Sequence, residues 1–341
     1  MSHYKLSLLG FGNVGQALAV LLDKKRDELR REYDIEFSIT GIGTGKHGAA
    51  LNPQGIDIHR ALKLARSGSS LNEMSVEAPP TDASDFIQRS QADILFENTP
   101  VNYTNGQPAA DHLRQALELG MHAITANKGP VVHAYRQLNE IAAQKGRKFY
   151  FESTVMDGAP IFSLFRTALP GARLNSFQGI LNSTTNLILT RMEDGENFDQ
   201  AVAYAQGIGI AETDPSGDID GWDAAVKVAA LVTVLMDFPL TPHQVERTGI
   251  RQISLADIQQ AHKKGKRWKL VCSAQSGGDR VEARVAPQLV AADSPLYQVA
   301  GTSSIVQFET DVLGSLSVIE NDPGPHTTAY GLLADFLNAV R

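Results

Sequence analysis

Five carboxylates fall within the twelve residues from Glu212 to Asp223, namely Glu212, Asp214, Asp218, Asp220 and Asp223, and Lys227 follows four residues later. Carboxylates at this density can hold a cationic amine, ligate a metal ion or exchange a proton with a neighbouring base. Asp214-Pro215 and Gly217 force a turn, which lets Glu212 and Asp218 converge from a loop. From Ala224 to Met236 Lys227 is the only charged residue, and the run predicts a helix that is apolar all round and therefore buried. Asp220, Asp223 and Lys227 stand at i, i+3 and i+7, on one face of such a helix. A lysine there must be paired, reach water with its tip, or take part in chemistry. At the least, Asp223 and Lys227 form a helical ion pair worth about 0.2–0.5 kcal/mol. The alternating ligand spacing of a calcium loop is absent.

A second group lies at the other end of the chain. Gly10, Phe11, Gly12, Asn13, Val14 and Gly15 make a Gly-x-Gly-x-x-Gly turn, preceded by the apolar run Lys5 to Leu9. It opens a helix with Val14, Leu18, Leu21, Leu22 and Leu29 on one face. The first glycine permits the tight turn, the second lets a pyrophosphate reach the main chain, and the third lets helix and strand approach. In this strand–turn–helix context the motif predicts a dinucleotide site. The following strand ends in Gly41-Ile42-Gly43-Thr44-Gly45-Lys46-His47, with no carboxylate to take a ribose 2′-hydroxyl. Lys46, with Thr44 and His47, could instead hold a 2′-phosphate, which favours NADP over NAD. The competing reading of Lys46 is a solvated loop lysine. Beside a nicotinamide, a desolvated lysine among carboxylates reads as proton-transfer machinery.

The elements that must carry these residues change rhythm along the chain. Strands at about 5–9, 36–42, 93–97, 122–125 and 148–151 alternate with helices at 14–32, 58–66, 108–119 and 133–144, which predicts a parallel sheet covered on both faces. The stretch from Gly43 to Thr81 is otherwise polar and rich in glycine and proline. Beyond Glu152 the pattern is α+β: helices at 161–167, 183–192, 199–206 and 221–236, and strands at 176–181, 267–274, 281–285, 304–309 and 313–319, in a mixed or antiparallel sheet. A last helix runs from Thr328 to Val340. The expected architecture is α/β: a Rossmann-type dinucleotide-binding domain over 1–150 and 321–341, with a second, α+β domain over 151–320.

Composition narrows the classes. The 341 residues are 43% hydrophobic and 20% charged, which is ordinary for a globular protein of about two domains. With net charge −7 and only the short basic run Lys263-Lys264-Gly265-Lys266-Arg267, nucleic acid is not an expected partner. The one cysteine, Cys272, excludes a disulfide framework and sits in an alternating segment as a half-buried strand residue. No membrane span or leader is seen, so a cytoplasmic location is expected.

The segment Ala205 to Lys227 resembles the signature of homoserine dehydrogenases, Ala-x3-Gly…Asp-Pro-x2-Asp-x2-Gly-x-Asp-x3-Lys. Gly179-Ile180-Leu181-Asn182-Ser183-Thr184-Thr185-Asn186 is similar to that family's Gly-Ile-x-Asn-Gly-Thr-Thr-Asn, with Ser183 in place of glycine. Ala126-Asn127-Lys128 and Gly324-Pro325-His326-Thr327-Thr328-Ala329 resemble two further family elements, so the likeness spans nearly the whole chain. It implies NAD(P)-dependent interconversion of L-homoserine and L-aspartate 4-semialdehyde by a homodimer, and it assigns substrate binding and dimerisation to the domain over 151–320. It implies Lys128 and Lys227 as catalytic lysines and Asp223 as a catalytic-site aspartate. Glu212 and Asp218 would hold the substrate's amino end, with Asn182 and Thr185 also in the substrate site. Thr99-Pro100 would lie near the nicotinamide, with Lys128 also beside the cofactor.

One segment departs from the family. Where members carry a glycine-rich run, this chain has Glu152-Ser153-Thr154-Val155-Met156-Asp157-Gly158-Ala159-Pro160. A Na⁺ or K⁺ site at Glu152, Val155, Asp157 and Ala159 and an ordinary turn into a helix both fit it. The chain ends at Arg341, right after the last helix, so no appended regulatory module or kinase is expected. Two rivals remain: another two-domain NAD(P)-dependent dehydrogenase of small amino-acid metabolites, and a catalytically silent nucleotide-binding regulator. An aspartate-semialdehyde dehydrogenase needs a nucleophilic cysteine, and Cys272 lies outside any such motif.

Overall fold

Alternation of strand and helix holds through the first 150 residues of the computed structural model, which describes residues 1–341. The chain divides into two units, Met1–Pro160 with Gly324–Arg341, and Ile161–Pro323.

The first unit contains β1 (Ser2–Leu9), α1 (Asn13–Tyr33), β2 (Ile35–Gly43), β3 (Ala49–Leu51), α2 (Ile58–Arg66), α3 (Ala83–Ser90), β4 (Ile94–Glu97), α4 (Ala109–Glu118), β5 (His122–Thr125), α5 (Lys128–His133), α6 (Tyr135–Gln144) and β6 (Phe149–Tyr150). The sheet order is β3-β2-β1-β4-β5-β6, parallel throughout except for β3, which is antiparallel to β2. Strands β4 and β5 are buried at every position, as a sheet covered on both faces requires. The order reverses between β1 and β4, and in such sheets ligands bind in the crevice outside the carboxyl ends of the strands at this point. The C-terminal helix, Pro325–Val340, starts three residues earlier than Thr328 and packs on α1. Its Phe336 meets Tyr4 and Phe96 edge-on, with centroids 5.9 and 6.3 Å away.

Three elements here differ from expectation. The polar stretch after Gly43 contains β3, too short to show alternation, and α3 follows at Ala83 behind an Asp82 cap. The helix expected from His133 is preceded by α5, because the Asn127 side chain accepts from the Gly129 N–H and caps a new helix start. Ala134, at φ −134°, then separates α5 from α6.

The second unit contains β7 (Leu174–Ile180), α7 (Ser183–Glu193), α8 (Phe198–Gly207), α9 (Ser216–Ile219), α10 (Trp222–Leu235), β8 (Glu246–Arg247), α11 (Leu255–Lys263), β9 (Lys266–Ser276), β10 (Val281–Ala291), β11 (Ser304–Thr310) and β12 (Gly314–Glu320). The sheet order is β12-β11-β7-β9-β10-β8. Neighbours are antiparallel except β8 and β10, so the sheet is mixed. Helix α10 is buried over most of its circumference, as its composition predicts. Cys272 lies on β9 but is fully buried rather than half-buried. Lys269, Leu270, Val271 and Cys272 are buried in succession, because α7, α10 and α11 all pack against this central strand. Helix α11 was not expected; its apolar positions are few, and a Ser254–Asp257 capping box starts it.

Candidate active-site residues

The glycine turn has the three properties its spacing requires. Gly10 adopts φ +97°, and a Cβ there would stand 2.3 Å from the Asn98 carbonyl oxygen, in the segment that leaves β4. A Cβ on Gly15 would meet the Gly10 oxygen at 2.3 Å, whereas nothing lies within 4 Å of one on Gly12. The main chain at Gly12 is therefore open to a ligand. Gly12 caps α1 without a side-chain bond, and Asn13, Val14 and Gly15 form a first turn with no acidic residue to repel a phosphate. Phe11 is buried beneath the turn, and its carbonyl accepts from Gln16 Nε2. This cradle fits a dinucleotide. Lys46 is exposed at the tip of the β2–β3 turn, which is closed by hydrogen bonds from Thr44 Oγ1 to the Gly48 carbonyl and from the His47 N–H to Thr44 Oγ1.

At the carboxyl ends of β4 and β5 a ring of polar groups is closed below the loops. Glu97 is fully buried and accepts from the Thr99 N–H at 3.2 Å and from the Thr99 hydroxyl. Thr125 Oγ1 donates to the Glu97 carbonyl at 2.7 Å, with the carboxylate 3.2 Å away, and accepts from the Asn127 N–H at 2.9 Å. Asn127 Nδ2 returns to the Thr99 carbonyl at 3.0 Å. His112 Nδ1, from α4, lies 3.5 Å from the same carboxylate. Thr99 and Lys128, both singled out by the sequence, are thus held by one network; Lys128 is the half-buried first residue of α5, and Pro100 is exposed. Sequence reasoning missed Glu97, Thr125 and His112. The available signal was a carboxylate closing the apolar strand Ile94–Phe96.

In the second unit, the acidic segment folds onto the start of α7. Asn182 caps α7, its Oδ1 accepting from the Thr185 N–H at 2.9 Å and the Thr185 hydroxyl at 2.8 Å. Its Nδ2 donates to Asp218 at 2.6 Å and to Asp223 at 3.1 Å. Asp223 pairs with Lys227 at 3.2 Å, and Lys227 Nζ donates to the Leu181 carbonyl at 2.6 Å. Burial, and then the Asp223 charge, push the Asp218 carboxyl above its ordinary range. Asn182, Thr185, Asp218, Asp223 and Lys227 are therefore brought together.

Glu212 is exposed on the preceding loop, where its main-chain carbonyl accepts from Gln206 Nε2. Asp220 departs from expectation. It does not share a helix face with Asp223, because Gly221, at φ +80°, separates α9 from α10. Its carboxylate pairs with Arg251 at 2.5 Å instead.

The segment carrying Glu152, Val155, Asp157 and Ala159 is tied to the C-terminal helix. The Glu152 N–H donates to Asp335 at 2.7 Å, the Ser153 hydroxyl to the Thr328 carbonyl at 2.7 Å, and the Thr328 hydroxyl to Asp157 at 2.8 Å. No group of three histidine, cysteine or acidic side chains in the chain is arranged to hold a metal ion.

A parallel sheet with a glycine turn at its order reversal, and a second unit carrying carboxylates against a lysine, define a two-unit NAD(P)-dependent oxidoreductase. Comparison with known proteins narrows the class. Residues 10–152 match the family model described as the homoserine dehydrogenase NAD-binding domain, and residues 160–337 match the one described as homoserine dehydrogenase. The chain belongs to the homoserine dehydrogenase family.

An NAD(+)-dependent homoserine dehydrogenase of Pseudomonas canavaninivorans is 35% identical, covering 99% of this chain and 96% of that protein. A homoserine dehydrogenase of Methanocaldococcus jannaschii is 36% identical over 97% of each. Among solved structures, a hyperthermophilic archaeal homoserine dehydrogenase in complex with NADPH superposes with a TM-score of 0.83 at 28% identity, covering 99% of this chain and 98% of that one. The Thiobacillus denitrificans enzyme gives 0.84 at 28% identity, covering 99% of this chain and 73% of that one.

Proposed function

We propose that this homoserine dehydrogenase interconverts L-homoserine and L-aspartate 4-semialdehyde with NADP in preference to NAD, using Lys128 and Lys227 as its catalytic lysines. Held by the Gly10–Gly15 turn, the nicotinamide cofactor would supply hydride exchange at the carbon that bears the alcohol. The chain's own groups manage charge and proton. In the oxidation direction a lysine amine takes the hydroxyl proton, and in the reduction direction the ammonium returns it. Asp223 orients Lys227 and balances its charge, while Asp218 and Glu212 hold the substrate's ammonium. Asn182 fixes both aspartates, and Thr185 locks Asn182. The observation that carries this reading is the Asn182–Asp218–Asp223–Lys227 cluster, which joins a desolvated lysine to carboxylates in a chain with a dinucleotide cradle.

Gly10 to Gly15 would hold the pyrophosphate, Thr99 and Pro100 would flank the nicotinamide, and Lys46 would meet the 2′-phosphate. The main-chain carbonyls of Glu152, Val155 and Ala159, with Asp157, would suit Na⁺ or K⁺, since neutral oxygens with a single carboxylate match a monovalent ion. A homodimer would use the mixed sheet, where β7, β11 and β12 carry a polar ladder from Gln178 to Gln307 (2.8 Å) and on to Ser315 (2.7 Å). The deciding experiment follows nicotinamide absorbance with L-homoserine and either NADP or NAD, with and without K⁺ or Na⁺. Homoserine-dependent reduction with a higher kcat/KM for NADP is expected. No turnover in either direction would refute the reading.

A further inference from the structure

We propose that Glu97 is a positioning residue for the reaction, acting through Thr99 and Asn127 to set the 99–100 loop and Lys128 relative to one another; this rests on the roles proposed above. A fully buried carboxylate is costly unless donors surround it. Here the donors are the Thr99 N–H, the Thr99 hydroxyl and the Thr125 hydroxyl, which shares its one proton between the Glu97 main-chain carbonyl and the carboxylate; His112 Nδ1 lies 3.5 Å away. The ring closes when Asn127 bonds the Thr99 carbonyl and takes its own N–H bond to Thr125. Asn127 also caps the helix whose first residue is Lys128. Both loops leave the carboxyl ends of parallel strands, the edge at which such sheets bind ligands. The carboxylate presents an acceptor oxygen to each threonine, whereas an amide presents only one and an alkyl side chain none. Displacing a reacting group by about 1 Å can cost on the order of a hundredfold in rate.

The test compares Glu97→Gln, Thr125→Val and Thr125→Ser with the unaltered enzyme. Glutamine replaces one of the two acceptor oxygens with a donor, valine removes the bridging hydroxyl, and serine keeps it. Glu97→Gln and Thr125→Val are expected to lower kcat per nucleotide-binding site by about tenfold or more. KM for homoserine should stay within about threefold, and Thr125→Ser should remain within about threefold of the parent. An unchanged kcat per site with only a lowered melting temperature would overturn the proposal, as would Thr125→Ser failing as badly as Thr125→Val. If Glu97→Gln does not fold, the two Thr125 variants decide. If the unaltered chain does not turn over homoserine, the functional reading falls, and reduced-nucleotide binding judges the ring. About tenfold weaker binding by Thr125→Val but not by Thr125→Ser would support it, and equal binding would refute it.

Discussion

At the carboxyl ends of β4 and β5 one carboxylate, Glu97, is sealed from solvent and met by hydroxyls and a main-chain N–H. In the second unit two carboxylates, Asp218 on α9 and Asp223 in the first turn of α10, share Asn182 at the start of α7, and Asp223 pairs with a lysine whose side chain keeps 15% of its exposure. Both clusters cap the ends of regular elements, yet they solve different problems. The first uses short-range hydrogen bonds among Glu97, Thr99, Thr125 and Asn127 to tie two loops together. The second places two carboxylates beside a lysine, which on the function proposed above would hold a cationic substrate and exchange a proton with it.

Each unit also buries an ionisable group away from its cluster. His122, in the first, is held neutral: burial above all, with Arg147 and Lys148 adding, pushes it down to about 4, and its Nδ1 accepts from the Lys148 N–H at 3.1 Å. Lys269, in the second, is buried against neutral acceptors, the Asn186 side chain at 3.1 Å and the Val299 carbonyl at 2.7 Å, and burial brings it down to about 8.

The largest consequence concerns the open cluster. Lys227→Ala should reduce homoserine turnover by about a thousandfold, within the range removal of a general acid–base group costs, while nucleotide binding is retained. Turnover surviving within a few-fold would end the distinction between a structural ring and a chemical cluster.

Next in size is the alkaline behaviour of Lys269. Its folded value lies below the ordinary 10.5, so between about 8 and 10.5 the unfolded chain binds more protons and this group adds stability as pH rises. The difference corresponds to about 3 kcal/mol. Cys272 acts in the opposite sense above pH 9, because burial raises its thiol to about 12 and the unfolded chain then loses its proton first. Melts of Lys269→Met and the parent in a Cys272→Ala background should therefore diverge from pH 8 upward, with the rise confined to the parent.

The smallest effect is in acid. His122 has a folded value below 6.5, so its contribution is present at neutral pH and is lost as pH falls from about 6.5 to 4. The full difference corresponds to about 3 kcal/mol, which solvent screening of this partly solvated ring reduces to about 2, and the loss should be absent from His122→Phe. Equal acid slopes would show that the first unit does not depend on a neutral histidine.

Much of this was legible in the chain. The helix Ile58–Arg66 and the strand His122–Thr125 have the bounds their periodicity implies, and the glycine turn has the contacts its spacing requires. Local patterns of this kind depend on the backbone's own geometry. The Asn182–Asp223 contact was not legible from spacing, since it joins residues 41 apart. Glu97 was hidden because a single acidic residue at a strand end looks like a solvated terminus until its burial is known. Asp220 was misplaced because the left-handed Gly221 resets the helix between it and Asp223.

The sequence determined the family, the two-unit α/β plan and the residue types available for chemistry, because periodicity, turn residues and motif spacing are local properties. Only tertiary structure decided which carboxylates share Asn182, that Asp220 turns away to Arg251, and that Glu97 closes a ring under Thr99 and Asn127. Those outcomes depend on burial and on contacts between distant segments, where desolvation and hydrogen-bond satisfaction determine each partner.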